Sequence, residues 1–266
     1  MNKTEEFYRQ ILKEKVVNVK DLKDISKNIF GNKEEYYYRK YIYKLKKEGK
    51  IGKIRMGLYY AIPLDKLEED YEADRYLIAN KLEKPLAYHT ALELHGAAHS
   101  AFTKIFVLAT RSNRFRGFEF QGVGYEPVVN EYDVGHITSI EYRDTRIDVT
   151  DPERTFVDCI HRTNLCGGWE ECLKSLANLR RISIDKIKDV IKAYDNKTLE
   201  LKCGYILELL SDNSPYYEHI KKEDLDPIKP GHNWKPVYID RSVKSSLIEE
   251  WGLYVPDHLE ELLRGV

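Results

Sequence analysis

Residues 32–62 read NKEEYYYRKYIYKLKKEGKIGKIRMGLYYAI: a run rich in lysine and tyrosine, a glycine, then short apolar stretches around Met56-Gly57. The run predicts a helix opened by Asn32 and Glu35 as a capping box and stopped at Glu48-Gly49. Ile51–Arg55 and Leu58–Ile62 are then expected as a hairpin, with Gly57 supplying the unusual backbone angles of its turn and Pro63 closing the unit. At about 100° per residue, Tyr38, Tyr41, Ile42 and Leu45 share the helix face that must pack inward. Lys33, Tyr36, Lys40, Tyr43, Lys44 and Lys47 fall on the opposite face. Long cationic side chains suit phosphate, and tyrosine adds a hydroxyl for phosphate and a ring for sugars or thymine methyls. In the hairpin Leu58, Tyr60 and Ile62 are expected to point inward, leaving Lys53 and Arg55 free beside a groove. The candidate DNA-contacting residues are Lys33, Tyr36, Tyr37, Arg39, Lys40, Tyr43, Lys44, Lys47, Lys53 and Arg55.

Two helices are expected upstream. One runs from about Thr4 to Lys15, with Phe7 and Ile11 inward and Thr4 as cap; the other runs from Val19 to Phe30, with Leu22, Ile25 and Ile29 on one side and Gly31 ending it. Three helices followed by a hairpin are the parts of a winged helix-turn-helix domain, assigned to residues 1–63, and duplex DNA is its expected ligand. Charge points the same way. Residues 1–60 carry 16 Lys and Arg against 8 Asp and Glu, whereas the other 206 residues carry 27 against 36, so the net charge of −1 hides a basic end and an acidic remainder.

Residues 64–84 are acidic and are expected to form a helical connector. From residue 85 a helix Tyr88–Leu94 is expected, then strands Lys104–Ala109, Phe118–Gly122, Gly124–Pro127, Gly135–Tyr142 and Arg146–Thr150, the last two joined at Arg143-Asp144-Thr145. Thr150-Asp151-Pro152-Glu153 carries a capping residue, a first-turn proline and a glutamate at the capping-box position, which predicts a helix to about Arg162. Further helices are expected from Gly167-Gly168 to Leu179, from Ser183 to Tyr194 and from Thr198 to Ser211. A strand Val237–Ile239 and two short terminal helices complete an extension over 214–266. A small, mostly antiparallel sheet followed by a helical layer makes the expected class α+β, with the second domain spanning 85–266.

Several function classes fall away. No apolar run approaches the roughly 20 residues of a membrane helix, and MNKTEEFYRQ lacks the greasy core of a signal peptide, so a cytoplasmic protein is expected. Cys159, Cys166, Cys172 and Cys203 form no CxxC pair and read as free thiols. No P-loop, HExxH or GxSxG motif occurs. His89, His95 and His99 invite a metal, but Gly96-Ala97-Ala98 interrupts them and no supporting ligand is spaced to help, so no metal and no cofactor are expected. Asp148, Asp151, Glu153 and Asp158 gather at a strand-to-helix junction as in metal-dependent nucleases; the usual Glu-x-Lys partner is missing, and Asp151 and Glu153 have capping roles. Lys104, Arg111, Arg114 and Arg116, with Arg180 and Arg181, form a candidate second basic patch for DNA flanks, RNA or a nucleotide.

The segments LKKEGKIGKIRMGLYYAIP, LAYHTALELHG, VTDPERTFVDCI, LKCGYILELL and DLDPIKPGHNWKPVYID, spread over almost the whole chain, resemble the AbiEi family of antitoxins and operon regulators from type IV toxin–antitoxin systems of phage defence. The resemblance implies a winged helix that binds inverted repeats in the promoter of its own operon as a transcriptional repressor. It also implies an α+β antitoxin domain that counters an AbiEii-like nucleotidyltransferase toxin without requiring a stable complex. That toxin would show Gly-Ser followed by Asp-x-Asp, which this chain lacks. The expectation is therefore a non-enzymatic, DNA-binding antitoxin, a monomer or weak dimer on DNA. The alternatives are a nuclease delivered by a winged helix, a protein-interaction adaptor for the toxin, and a stand-alone regulator without a toxin partner.

Overall fold

The computed structural model describes residues 2–132, 134–231 and 234–263. The chain is α+β, with ten α-helices and four small sheets among the described residues. It divides into two compact units: Met1–Lys84 together with Phe118–Tyr125, and Pro85–Gly117 together with Glu126–Val266.

In the first unit α1 (Lys3–Glu14), α2 (Val19–Phe30) and α3 (Glu34–Lys47) surround a core of Phe7, Ile11, Leu22, Ile42 and Leu45. Their caps differ from the sequence expectation. Asn2, not Thr4, caps α1 by accepting the Thr4 N–H, and Thr4 is buried inside the helix. The capping box belongs to α2, where Asn18 and Asp21 exchange bonds. α3 has no box: Lys33 holds the N-cap position in a left-handed conformation, φ 72°, without a side-chain cap bond. Asn32 therefore lies one residue too early for its side chain to cap the helix.

β1 (Val16–Asn18), β2 (Ile51–Arg55) and β3 (Leu58–Ala61) form a sheet in the order β1-β3-β2, antiparallel throughout. β1 was not expected; three residues between two helices carry too little periodicity to register as a strand. Gly52 lies opposite Tyr60, and a Cβ there would sit 2.1 Å from the Tyr60 ring, so the strand needs glycine to let the ring cross it. The stretch expected as one connecting helix is instead a 3-10 turn, Glu68–Asp70, and a short α4 (Arg75–Asn80). Asp74 caps α4, accepting from Tyr76 and Leu77 N–H, which places the chain before it outside the helix.

The next elements are α5 (His89–Leu94), β4 (Lys104–Ala109), β5 (Phe118–Phe120), β6 (Val123–Val129), β7 (Ile137–Tyr142) and β8 (Thr145–Thr150). β5 and β6 pair across Gln121-Gly122, and β7 and β8 across Arg143-Asp144; both turns hold two residues at positive φ, the geometry that matches strand twist. Leu86 bridges Val107 of β4 and Val149 of β8, joining the two strand groups of this region. α6 (Pro152–His161), α7 (Gly168–Ala177), α8 (Ile184–Tyr194) and α9 (Lys197–Asn213) bury a large apolar cluster against this sheet, and a short α10 (Lys222–Leu225) follows. Asp151 caps α6 by accepting from Arg154 N–H; Glu153 does not cap, because the helix begins one residue later than the Thr150 reading requires. The expected strand near Val237 is present as β9 (Val237–Tyr238), while the expected terminal helices are replaced by β10 (Ser245–Ile248) and β11 (Leu253–Pro256) in the order β10-β11-β9, with 3-10 turns around them. Four-residue stretches such as Ser245–Ile248 and Leu253–Pro256 fit either element until a partner strand is present. His232 and Asn233 of the DLDPIKPGHNWKPVYID segment lie outside the described residues.

Candidate nucleic-acid interface

α3 is amphipathic in the sense read from its sequence. Leu45 is fully buried, and Ile42 and Tyr38 nearly so. Tyr41 is only half-buried, lying flat on Phe30 at 4.8 Å between ring centroids and packing on Phe7. On the other side Tyr36 is 61% and Tyr43 74% exposed, large values for rings of this size. Tyr36 meets Tyr37 edge-on at 5.3 Å, yet most of its surface, like that of Tyr43, faces solvent. Lys40 and Lys47 lie on the same side and have no carboxylate partner among the described residues; the Lys40 ammonium lies over the Tyr41 ring, 6.0 Å from its centroid.

The remaining candidates divide by what already holds them. Arg39 is exposed and bonds Glu35 at 2.6 Å, a carboxylate that also faces Lys23 at 3.6 Å. The Lys44 ammonium donates to Thr4 Oγ at 3.2 Å and lies 3.9 Å from Glu48. Tyr37 is half-buried and stacks on Phe30 at 4.7 Å, so it belongs to the aromatic support of the helix more than to its outer face. Lys33 is exposed but precedes the helix, so it extends the stripe from the N-cap and not from a helical position.

In the hairpin Leu58, Tyr60 and Ile62 are buried and Lys53 is exposed. Met56 stands 90% exposed at the tip. Arg55 is not free, contrary to the sequence reading: its guanidinium lies 4.8 Å above the ring of Phe118, a contact between residues too distant in the chain for spacing to signal. A bulge between Lys53 and Arg55 turns the strand at that point. Tyr60 is stacked near Tyr71 and Phe120, and its hydroxyl meets Glu68 at 3.3 Å; burial first, then that carboxylate, pushes its phenol up to about 12.

The second candidate patch is dispersed. Lys104 pairs with Glu126 at 2.8 Å. Arg114 and Arg116 line an open depression of about 470 Å³ with Phe115, Gly117, Pro127 and Val129. Arg111 is exposed nearby in sequence, its backbone N–H bonded to Glu131. Arg180 stacks over Tyr216 at 4.8 Å and, like Arg181, lines none of that depression.

The histidines and carboxylates of the second unit are each engaged separately. His89 is buried, stacked on Phe102 at 3.5 Å and 3.2 Å from Glu171. His95 ends α5 with its Nε2 2.8 Å from the Thr150 carbonyl, and His99 lies beyond the helix, so the two do not share a helical face. Asp148 accepts from Ser139, Glu153 is buried and accepts from Ser183 N–H, and Asp151 meets His136 at 2.9 Å. Asp158 is fully buried between Arg154 and the Tyr194 hydroxyl, and burial outweighs both in raising its carboxyl to about 6. No group of three metal-ligating side chains assembles among the described residues. Sequence reading assigned Asp158 to a carboxylate cluster and overlooked its i, i+4 relation to Arg154, the available signal for a buried pair. All four cysteines are buried and free, and burial pushes the Cys159 and Cys203 thiols up. Among the described residues no helix is long and apolar enough to cross a membrane.

The molecule thus belongs to the α+β class and carries a basic helix with an exposed tyrosine stripe. No family model matches the chain, and no curated protein matches it in sequence. Among solved structures it is similar to the crystal structure of the RV2827C protein from Mycobacterium tuberculosis, with a TM-score of 0.66 and 16% identity over 99% of this chain and 94% of that one. At that identity the likeness concerns the fold alone.

Proposed function

We propose that the first unit is a winged helix-turn-helix that binds duplex DNA, with α3 as its reading helix and the β2–β3 hairpin as its wing. The observation that carries this is the stripe on α3: Tyr36, Lys40, Tyr43 and Lys47 are exposed on the face opposite buried Tyr38, Ile42 and Leu45, and neither lysine has an acidic partner among the described residues. With Lys33, Lys53 and Arg55 the interface offers about five cations to phosphate. Such a count corresponds to a slope of log affinity against log salt of about −4 to −5. Beyond DNA binding, the resemblance of the five quoted segments supports a DNA-binding antitoxin of the AbiEi type, repressing its own operon and opposing a nucleotidyltransferase-type toxin. Operators made of inverted repeats accommodate two protomers per site.

The test is fluorescence anisotropy of the full chain on a duplex from upstream of its own gene and on a scrambled duplex, across a salt series. Tighter binding to the upstream duplex with the slope above is expected. Equal affinity for both, or a slope near zero, would remove the DNA-reading role. Co-expression with a neighbouring nucleotidyltransferase should restore growth; unrelieved toxicity would leave a regulator without antitoxin activity.

A further inference from the structure

We propose that Tyr36 sets sequence preference by laying its ring on the methyl group of a thymine in the major groove, and that Tyr37 is the positioning residue that holds it there. The inference rests on the reading of α3 as the element that enters duplex DNA, and it separates two tyrosines that share the outer face of that helix.

Tyr36 ends a column of rings that begins in the core. Phe7 of α1, fully buried, packs on Tyr41 at 5.7 Å between centroids, and Tyr41 lies parallel to Phe30 at 4.8 Å. Phe30, the last residue of α2, also stacks on Tyr37 at 4.7 Å. Tyr37 in turn meets Tyr36 edge to face at 5.3 Å, with the ring planes 74° apart. Thus α1, α2 and α3 all contribute to the support of one exposed ring. Tyr43 is the contrast. It is 74% exposed on the same side, two turns further on, and has no ring against it among the described residues.

An edge-to-face pair favours one ring arrangement over the many that a solvated tyrosine samples. Much of the rotamer freedom of Tyr36 is therefore removed on folding, whereas Tyr43 would lose its freedom only when DNA closes on it. Position favours Tyr36 as well. It is the third residue of α3, and a reading helix meets base edges with its N-terminal residues. Tyr36 is 61% exposed, and most of a tyrosine ring is carbon. The thymine methyl is the apolar group that base pairs present in the major groove, so it is the complement of such a ring.

The experiment replaces each thymine of the upstream duplex in turn by uracil, which removes the C5 methyl and leaves the hydrogen-bonding edge unchanged, and measures the affinity of the full chain by anisotropy. In the wild type one position in each half-site should weaken binding about fourfold, the effect of exposing one methyl again. Tyr36→Ala and Tyr37→Leu should bring that ratio close to unity; Tyr37→Phe, which keeps the ring, and Tyr43→Ala should retain it. Each variant supplies its own thymine and uracil affinities, so a general loss of affinity cancels from the ratio. An unchanged ratio in Tyr37→Leu would overturn the positioning role. An unchanged ratio in Tyr36→Ala, or its loss in Tyr43→Ala, would overturn the choice of tyrosine. Ring-proton shifts of the free wild type test the brace without any variant: those of Tyr36 should be displaced by the ring current of Tyr37, and Tyr36 shifts equal to those of a solvated tyrosine would overturn it. A wild type that prefers the upstream duplex yet has no methyl-sensitive position overturns the thymine contact and leaves the DNA reading standing. One that binds no duplex overturns the DNA reading and this proposal with it.

Discussion

Replacing Lys40 and Lys47 together by alanine tests the interface where its chemistry is least shared with folding. Both side chains are exposed, seven residues apart on the outer side of α3, and neither is paired to a carboxylate among the described residues. Alanine is also a good helix former, so α3 should persist. Each phosphate contact contributes about 0.9 to the salt slope, which at 0.1 M salt corresponds to about an eightfold gain in affinity. Losing two contacts should therefore weaken binding about 60-fold at that salt and flatten the slope by about 1.8. Because phosphate contacts carry no sequence information, upstream and scrambled duplexes should lose affinity alike. Tyr36→Phe and Tyr43→Phe, by contrast, should change the ratio between the two. Arg39→Ala and Lys44→Ala are the internal controls. Their cations are already engaged with Glu35, and with Thr4 and Glu48, so each should cost less than either unpaired lysine. Anisotropy titrations from 50 to 300 mM salt resolve these differences. A double variant within twofold of wild type, with an unchanged slope, would refute α3 as the element that meets the duplex.

Glu35→Gln should do the reverse: it releases Arg39 and Lys23 from a shared carboxylate, so binding should tighten several-fold and the slope steepen, in the same titration; weaker binding would count against the model of competing partners. Gly204→Ala should destabilise the second unit in urea denaturation, because the new methyl would lie 2.3 Å from the buried Trp251 ring; overpacking of about 1–3 kcal/mol exceeds the gain of about 1 kcal/mol in helix propensity. A variant more stable than wild type would show that Trp251 shifts freely. Burial lowers the His95 and His161 imidazoles below their usual range, so the stability from keeping them neutral is present above pH 6.5 and lost as pH falls through their folded-state values. Asp158, raised to about 6, acts in the opposite sense: its contribution is full below pH 3.8 and lost as pH rises through 6. The His95 part is therefore read as the difference between wild type and His95→Gln in urea midpoints at pH 7.5 and 5, expected to be larger at pH 7.5; no change in that difference would refute it.

What was legible in the sequence was local and periodic. The two faces of α3, the Met56-Gly57 turn and the hairpin turn at Arg143-Asp144 follow from spacings of a few residues, where backbone geometry alone decides which side chains share a side. Caps were legible only to within one or two residues: Asn32, Thr4 and Thr150 each have the chemistry to cap, but Lys33, Asn2 and Asp151 take the positions, since a cap is chosen by where the packed helix begins. Short strands were harder still. Val16–Asn18 and the final two strands carry no pattern of their own, and they become strands because Tyr60, Val255 or Tyr238 lies opposite to complete their backbone bonds.

By itself the sequence determined the charge split between its two ends and, with the half-buried Tyr37 and Tyr41 excepted, which residues of α3 are buried or solvated. Tertiary structure decided which of the exposed cations remain unpaired. Arg39 and Lys44 read identically to Lys40 and Lys47 along the chain, yet Glu35, Thr4 and Glu48 engage the first two. Arg55 looked free until Phe118, brought over it by an independent hairpin, laid a ring beneath its guanidinium. The physical reason is the same in each instance: periodicity sets the direction of a side chain, whereas its partners are set by elements whose approach depends on packing between distant segments.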